Sequence, residues 1–289
     1  MNRKILALHT AQPSIDGDGV SIQRIAGQGH YSQFDPFLML DEFRGGEDGK
    51  QTKGFPEHPH RGFETVTYML DGVIEHRDHL GNVGRLVTGG VQWMTAGRGV
   101  LHSELPIADD SHFHGFQIWV NLPASEKMTA PKYREFGPEE IPVLELDNGN
   151  TIKVIAGELS LDDDLSVANR SATGPVKEVA IRPDYWDVNL NEKTSIRLPL
   201  SPDKRVLVYV YQGNIRIAQT ESGIDVHPQQ MAILDKGEAL TISATEQSRF
   251  LVLAAHPIGE PVVSWGPFVM NTREEIEQAI RDYQAGTLV

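Results

Sequence analysis

The sequence predicts an all-β fold in two tandem domains, followed by a single C-terminal α-helix. Short β-branched and aromatic runs recur through most of its 289 residues. Turn residues interrupt them at spacings of roughly eight to twelve residues, the rhythm of a sandwich or barrel. The length exceeds what one hydrophobic core usually holds, so two domains of roughly 140 residues each are expected.

In the first half, Thr65–Leu70 (TVTYML) leads through Asp71-Gly72 into Val73–His79 (VIEHRDH). Two such runs joined by Asp-Gly read as a β-hairpin. Arg85–Thr88 ends at Gly89-Gly90, and Val91–Thr95 (VQWMT) ends at Ala96-Gly97-Arg98-Gly99. Gly115–Leu122 (GFQIWVNL) has the clearest buried-strand character of this half.

The second half repeats the rhythm with Lys153–Ala156, Arg205–Tyr211, Ile215–Ala218, Met231–Leu234, Ala239–Ala244 and Arg249–Ala255. Val66–Gly72 (VTYMLDG) and Val208–Gly213 (VYVYQG) align by eye, each a strand running into a glycine turn. The acidic, proline-bearing segment Glu135–Pro142 marks the domain boundary, giving domains 1–136 and 137–289. The one strong helix is Thr272–Ala285. Asn271 or Thr272 can cap it, Glu274 and Glu275 lie in its first turn, and Gly286 ends it. A shorter helix is expected at Ser125–Met128.

Composition narrows the function. Basic residues number 26 against 40 acidic ones, a net charge of −14, so the surface repels phosphate backbones and anionic lipid. No direct nucleic-acid or membrane role is expected. The apolar stretch Ile5–Leu8 is too short for a signal-peptide core, and a cytoplasmic location is the expectation. There are no cysteines, so disulfides, thiolate metal sites and thiol nucleophiles are excluded. Any metal must be held by histidine, carboxylate, carbonyl or water.

His58 and His60 flank Pro59. On a strand, residues two apart point to one face, so both imidazoles lie side by side. Pro59 has no N–H, which restricts this segment to an edge or a strand start. His102 and Glu104 repeat the spacing. If the two segments are neighbours, three imidazoles and a carboxylate converge. Such a donor set suits Fe(II), manganese, nickel, copper or zinc. The other histidines rank lower. His76 and His79 read as solvent-facing, and His112 and His114 as structural or pocket-lining. His9, His30, His227 and His256 are isolated.

The stretch Gly54–Tyr68 (GFPEHPHRGFETVTY) resembles the first cupin motif, and Gly97–His102 resembles the second, with Gly97 where proline is usual. HPHRGFETVTY, MTAGRGVLHSE, GFQIWVNLP, FDPFLMLDEF at Phe34–Phe43 and GPFVMNT at Gly266–Thr272 are similar to the pirin family and fall in the family's order. The resemblance implies two tandem cupin (jelly-roll) β-barrels, with one divalent metal, Fe(II), in the first. It implies His58, His60, His102 and Glu104 as ligands, and a second barrel that has lost its metal. Glu64, at the general cupin ligand position, then has a supporting role. The resemblance implies one of two functions. The first is a quercetin 2,3-dioxygenase acting on a flavonol or phenolic substrate with O2 and releasing carbon monoxide, Glu104 taking the proton of the 3-hydroxyl. The second is a non-enzymatic iron-binding regulator with a protein partner. Phe55, Phe63, Trp93, Phe116 and Trp119 are candidates for an apolar cavity wall, most of them expected in the core.

Overall fold

A computed structural model describes residues 1–26, 31–46, 52–107, 112–161, 170–218 and 223–289. The chain forms two compact units, each assembled from two separate stretches. One holds Met1–Ala11 with Glu140–Pro257, and the other holds Gln12–Glu139 with Ile258–Val289. The expected boundary at 136/137 falls close to the crossing at 139/140. The two ends of the chain, however, sort with the opposite units. The physical reason is edge pairing. Ile5–Thr10 adds to Gln230–Leu234, with Leu8 opposite Ala232, and so completes a sheet of the unit built mainly from later residues.

The unit containing Glu140–Pro257 has a seven-stranded and a four-stranded sheet. Both contribute to one aliphatic core, in which Val206, Val208, Val252 and Phe250 of the larger sheet meet Ile217, Leu240 and Ile242 of the smaller. The interior side chains of this cluster are apolar throughout, mostly branched aliphatics with Trp186 and Phe250, so hydrophobic burial joins the two sheets.

The unit containing Gln12–Glu139 repeats the plan, with seven strands in one sheet and four in the other. In both units the sheets are open rather than closed into barrels. Here the apolar core occupies only part of the interior, where Val20, Ile22, Phe43, Met69 and Phe113 meet Ile74 and Leu86. The smaller sheet runs Phe55–His60, Val100–Pro106, Val73–Asp78, Val83–Val87, with Phe55–His60 at its edge. Pro59 therefore breaks no interior ladder, as its missing N–H demands.

The Asp71-Gly72 junction is not a hairpin. Phe63–Asp71 belongs to the larger sheet, whereas Val73–Asp78 pairs with Val83–Val87 and Val100–Pro106 in the smaller one. Gly72, at φ +82°, turns the chain from one sheet to the other. Gly213, at φ +65°, does the same between Arg205–Gln212 and Ile215–Ile217. The two segments that align by eye are therefore equivalent crossovers.

The C-terminal helix spans Arg273–Gln284. Thr272 caps it, accepting from the Glu275 N–H while the Glu275 carboxylate accepts from the Thr272 N–H. The expected helix at Ser125–Met128 is a single 3₁₀ turn, Ala124–Glu126, whose preceding Pro123 offers no side-chain cap. Phe268, Met270, Ile276 and Leu288 form a cluster that Leu101 joins. Arg61 is buried and donates to the Asp282 carboxylate at 2.6 Å, to the Leu288 carbonyl at 3.2 Å and to the Arg98 carbonyl. These bonds brace the residue that directly follows His60. Gly62, at φ +92°, donates to the Gly97 carbonyl at 2.8 Å. A Cβ at Gly62 would lie 2.0 Å from the Val269 carbonyl oxygen. Gly62→Ala should therefore destabilise the protein by roughly 1–3 kcal/mol, from the unfavourable φ and the clash together. Urea unfolding measures this, and an unchanged midpoint would remove the turn from the account of the fold.

Candidate metal centre

The residues of interest lie where the interior of the Gln12–Glu139 unit turns from apolar to polar. Phe55–His60 and Val100–Pro106 pair antiparallel, with His102 directly opposite His58 and Val100 opposite His60. The ladder shifts register between His102 and Glu104. The other edge of Val100–Pro106 pairs with Val73–Asp78, setting Glu104 opposite His76 and His102 opposite Asp78.

His58, His60 and His102 come together, their donor atoms within 4.8 Å of one another. The Nε2 atoms of His58 and His60 are 3.0 Å apart. His58 Nδ1 lies 2.8 Å from the Pro56 carbonyl. A carbonyl can only accept, so Nδ1 carries the proton and Nε2 presents its lone pair. His102 Nε2 is buried and has no hydrogen-bond partner. Two ligand nitrogens at ~2.1 Å from one ion and at right angles to each other stand ~3.0 Å apart. The donors present therefore fit a first-row divalent metal.

Glu104 is 2% exposed and lies outside this group of three. Its donor oxygen groups instead with His102 and His76, again within 4.8 Å. Glu104 Oε1 accepts from the Thr67 hydroxyl at 2.9 Å, and Oε2 accepts from Gln117 Nε2 at 2.8 Å. Trp119 Nε1 in turn donates to Gln117 Oε1 at 3.2 Å. Each carboxylate oxygen keeps a further acceptor position. Among the described residues, these are the two groups of three or more potential ligands.

His76 does not face solvent. It is fully buried, because the inward face of its strand lies between the two sheets. The strand's alternation puts Ile74 and His76 inside, a period-two pattern present in VIEHRDH. His79 is exposed, and its Nδ1 accepts from the Leu101 N–H at 3.3 Å. His114 Nε2 stands 2.8 Å from Glu42, and the exposed His112 stands 3.3 Å from Asp71. His30 falls outside the described residues. Glu64 is buried and accepts from the Thr95 hydroxyl at 2.6 Å, with Arg134 at 3.6 Å. It belongs to neither group of potential ligands.

Burial governs the electrostatics. It pushes both His60 and His102 well below the ordinary imidazole value of 6.5, and the neighbouring His58 adds to the effect in each case. His60 and His76 lower His102 further. Burial also lowers His76, against the pull of Glu104 and Asp78. Neutral imidazoles with free lone pairs are the protonation state a metal requires.

A cavity of about 580 Å³ opens onto His58 and His60. Leu38, Met39, Phe55, Trp119 and Val269 supply apolar wall, while Arg24, Asp16 and Asp41 form a polar wall. Arg24 donates to both Asp41 oxygens and to Asp16. Gln117 also lines the cavity and so connects it to Glu104. Phe55 and Trp119 are thus wall residues, whereas Phe63, Trp93 and Phe116 are buried in the core. The parts that sequence reasoning missed are Thr67, Gln117 and His76. Gln117 alternates with Trp119 along one strand face, the only local signal it carries.

Residues 19–120 match the family profile described as "Pirin", and residues 185–289 match "Pirin C-terminal cupin domain". A "Putative quercetin 2,3-dioxygenase" of Pseudomonas aeruginosa is 45% identical over 286 residues, covering 99% of this chain and 98% of the relative. The "Pirin" of Mus musculus is 39% identical, covering 98% and 93%. A crystal structure of quercetin 2,3-dioxygenase from Acinetobacter baumannii superposes with a TM-score of 0.88 at 33% identity, covering 100% of this chain and 99% of that one. No helix among the described residues is long and apolar enough to cross a membrane.

The depressed histidines make metal-free stability depend on pH. Unfolded, His60 and His102 bind protons near 6.5; folded, they resist protonation until well below it. Between those values the unfolded state holds more protons, so stability falls as pH drops through 6.5. Thermal melting of metal-free protein should shift down from pH 7.5 to pH 5.5. The shift should shrink in His102→Phe, and an equal shift in that variant would assign the effect elsewhere.

Proposed function

The chain belongs to the pirin family, and on that footing we propose that it is a metal-dependent dioxygenase of the quercetin 2,3-dioxygenase type. In this reading His58, His60, His102 and Glu104 hold one divalent iron. The substrate is a flavonol or a related phenol, cleaved with O2 and with release of carbon monoxide. The observation that carries it is the placement of two of the three convergent imidazoles in the wall of a partly apolar cavity. Two relatives named "Putative quercetin 2,3-dioxygenase", each 45% identical over nearly the whole chain, support the same reading.

Bound there, iron would supply Lewis-acid activation of a phenolic hydroxyl and the electron transfer that O2 chemistry needs. The protein's own groups do the rest. The Pro56 carbonyl orients the His58 ring. Phe55 and Trp119 offer flat apolar surface to an aromatic ring and keep water from it. Glu104 takes the proton of the substrate's 3-hydroxyl on a carboxylate oxygen. Gln117 holds that carboxylate at 2.8 Å from the side that faces the cavity. Thr67 holds it from within.

Iron-loaded protein incubated with quercetin should lose the flavonol absorbance and release carbon monoxide in equal amount. His58→Ala should abolish both metal retention and turnover. Glu104→Gln should lower turnover by roughly 10²-fold or more, the usual weight of a general base. An absence of turnover with several flavonols, on protein loaded in turn with iron, manganese, nickel and copper, would sink the dioxygenase reading. The regulator role, with iron redox state altering a partner-binding surface, would then take its place.

A further inference from the structure

Behind His102 lies a buried chain of polar groups that the proposed chemistry does not use. His76, with no exposure, stacks on Tyr133 with ring centroids 4.6 Å apart. Its Nδ1 is 2.7 Å from Gln92 Nε2 and 3.5 Å from His102 Nδ1. Its Nε2 is 3.6 Å from the buried Asp78 carboxylate. Asp78 is itself held by the N–H groups of Leu80 and Asn82 and by the Asn82 side chain.

With the Gln92 amide turned NH₂ first towards His76, the donor and acceptor rules order the protons along this chain. An amide NH₂ can only donate, so His76 Nδ1 is an acceptor and its proton sits on Nε2, towards Asp78. His102 Nδ1 faces the same nitrogen at 3.5 Å, and a proton on His102 Nδ1 is the arrangement that keeps two lone pairs from meeting there. That leaves His102 Nε2, buried and without a protein partner, as the nitrogen with a free lone pair. Ligand histidines are generally oriented through their second nitrogen by such a contact.

We infer that His76 is a positioning residue for the metal centre: with Gln92 and Asp78 it fixes the tautomer and ring orientation of His102. The inference rests on the reading of His102 as a ligand. His76 acts through His102 and does not itself touch the ion.

The test is metal affinity, read by chelator competition with Co(II), Ni(II) and Fe(II), together with the number of histidine ligands from X-ray absorption of the Co(II) form. His76→Phe keeps the ring stacked on Tyr133 but removes the acceptor. It should weaken binding by ~10–100-fold with the count of histidine ligands unchanged. His76→Gln, whose side-chain oxygen can still accept from His102, should recover part of that loss. Gln92→Leu, which frees His76 to adopt the other tautomer, should lose affinity in the same direction. It serves as the second route if His76→Phe fails to fold. Metal-free melting and circular dichroism establish that each variant is folded. Affinity within twofold of wild type in both His76→Phe and Gln92→Leu would overturn the inference. A count lower by one histidine in His76→Phe would also overturn it, since His76 would then be a ligand itself. Wild-type affinity in His58→Ala would instead overturn the underlying metal assignment, so the two failures are distinguishable.

Discussion

The site depends on one strand pairing. Phe55–His60 carries two imidazoles and Val100–Pro106 carries a third, and the antiparallel register sets His102 across from His58. In a sheet, a slip of one residue turns every side chain to the other face. A shift of that size would leave two imidazoles in the interior and one outside it, and the convergence would be lost. Glycine turns lock the register at one end, where Gly62 and Gly97 are hydrogen-bonded to each other. Pairing with Val73–Asp78 locks the other edge of Val100–Pro106.

That register places polar groups where a sandwich normally places aliphatic ones. The unit built mainly from Glu140–Pro257 shows the ordinary solution, with branched aliphatics meeting across the interior. In the other unit, His60, His76, Gln92, His102 and Glu104 occupy interior positions instead. Burying such groups is costly unless each is partnered, and several of their ring and amide atoms have no protein partner. An unpartnered nitrogen in a dry interior is a standing cost to the fold. A cation would turn that cost into binding energy.

Much of this was legible in the sequence, because the relevant signals are local. His58-Pro59-His60 and His102-Ser103-Glu104 announce their shared faces through strand periodicity alone, and Pro59 announces an edge. The Thr272 cap and the helix after it were equally local. What escaped was long-range. The Asp71-Gly72 dipeptide is chemically a hairpin signal, yet the two sheets compete for the strand beyond it and the smaller one wins. His76 and His79 do not share a strand face, and reading both as solvent-facing overlooks that His76 alone lies on the inward face of Val73–Asp78. The grouping of Glu104 with His76 rather than with His58 and His60 follows from a register shift that no spacing announces. The exchange of chain ends between units is likewise a matter of which sheet edge stands open.

The brace on Arg61 has a consequence for the order in which the protein can be built. Arg61 is bonded to the carbonyl of Leu288, 227 residues further along the chain. At ribosomal speeds of ~5–20 residues per second, that interval lasts roughly 10–45 s. Throughout it, the segment that carries His58 and His60 lacks its final clamp. The clamp on Arg61 closes only when the last turn of the helix and the residues after it have docked, so the brace beside His60 is among the last contacts that the chain can make.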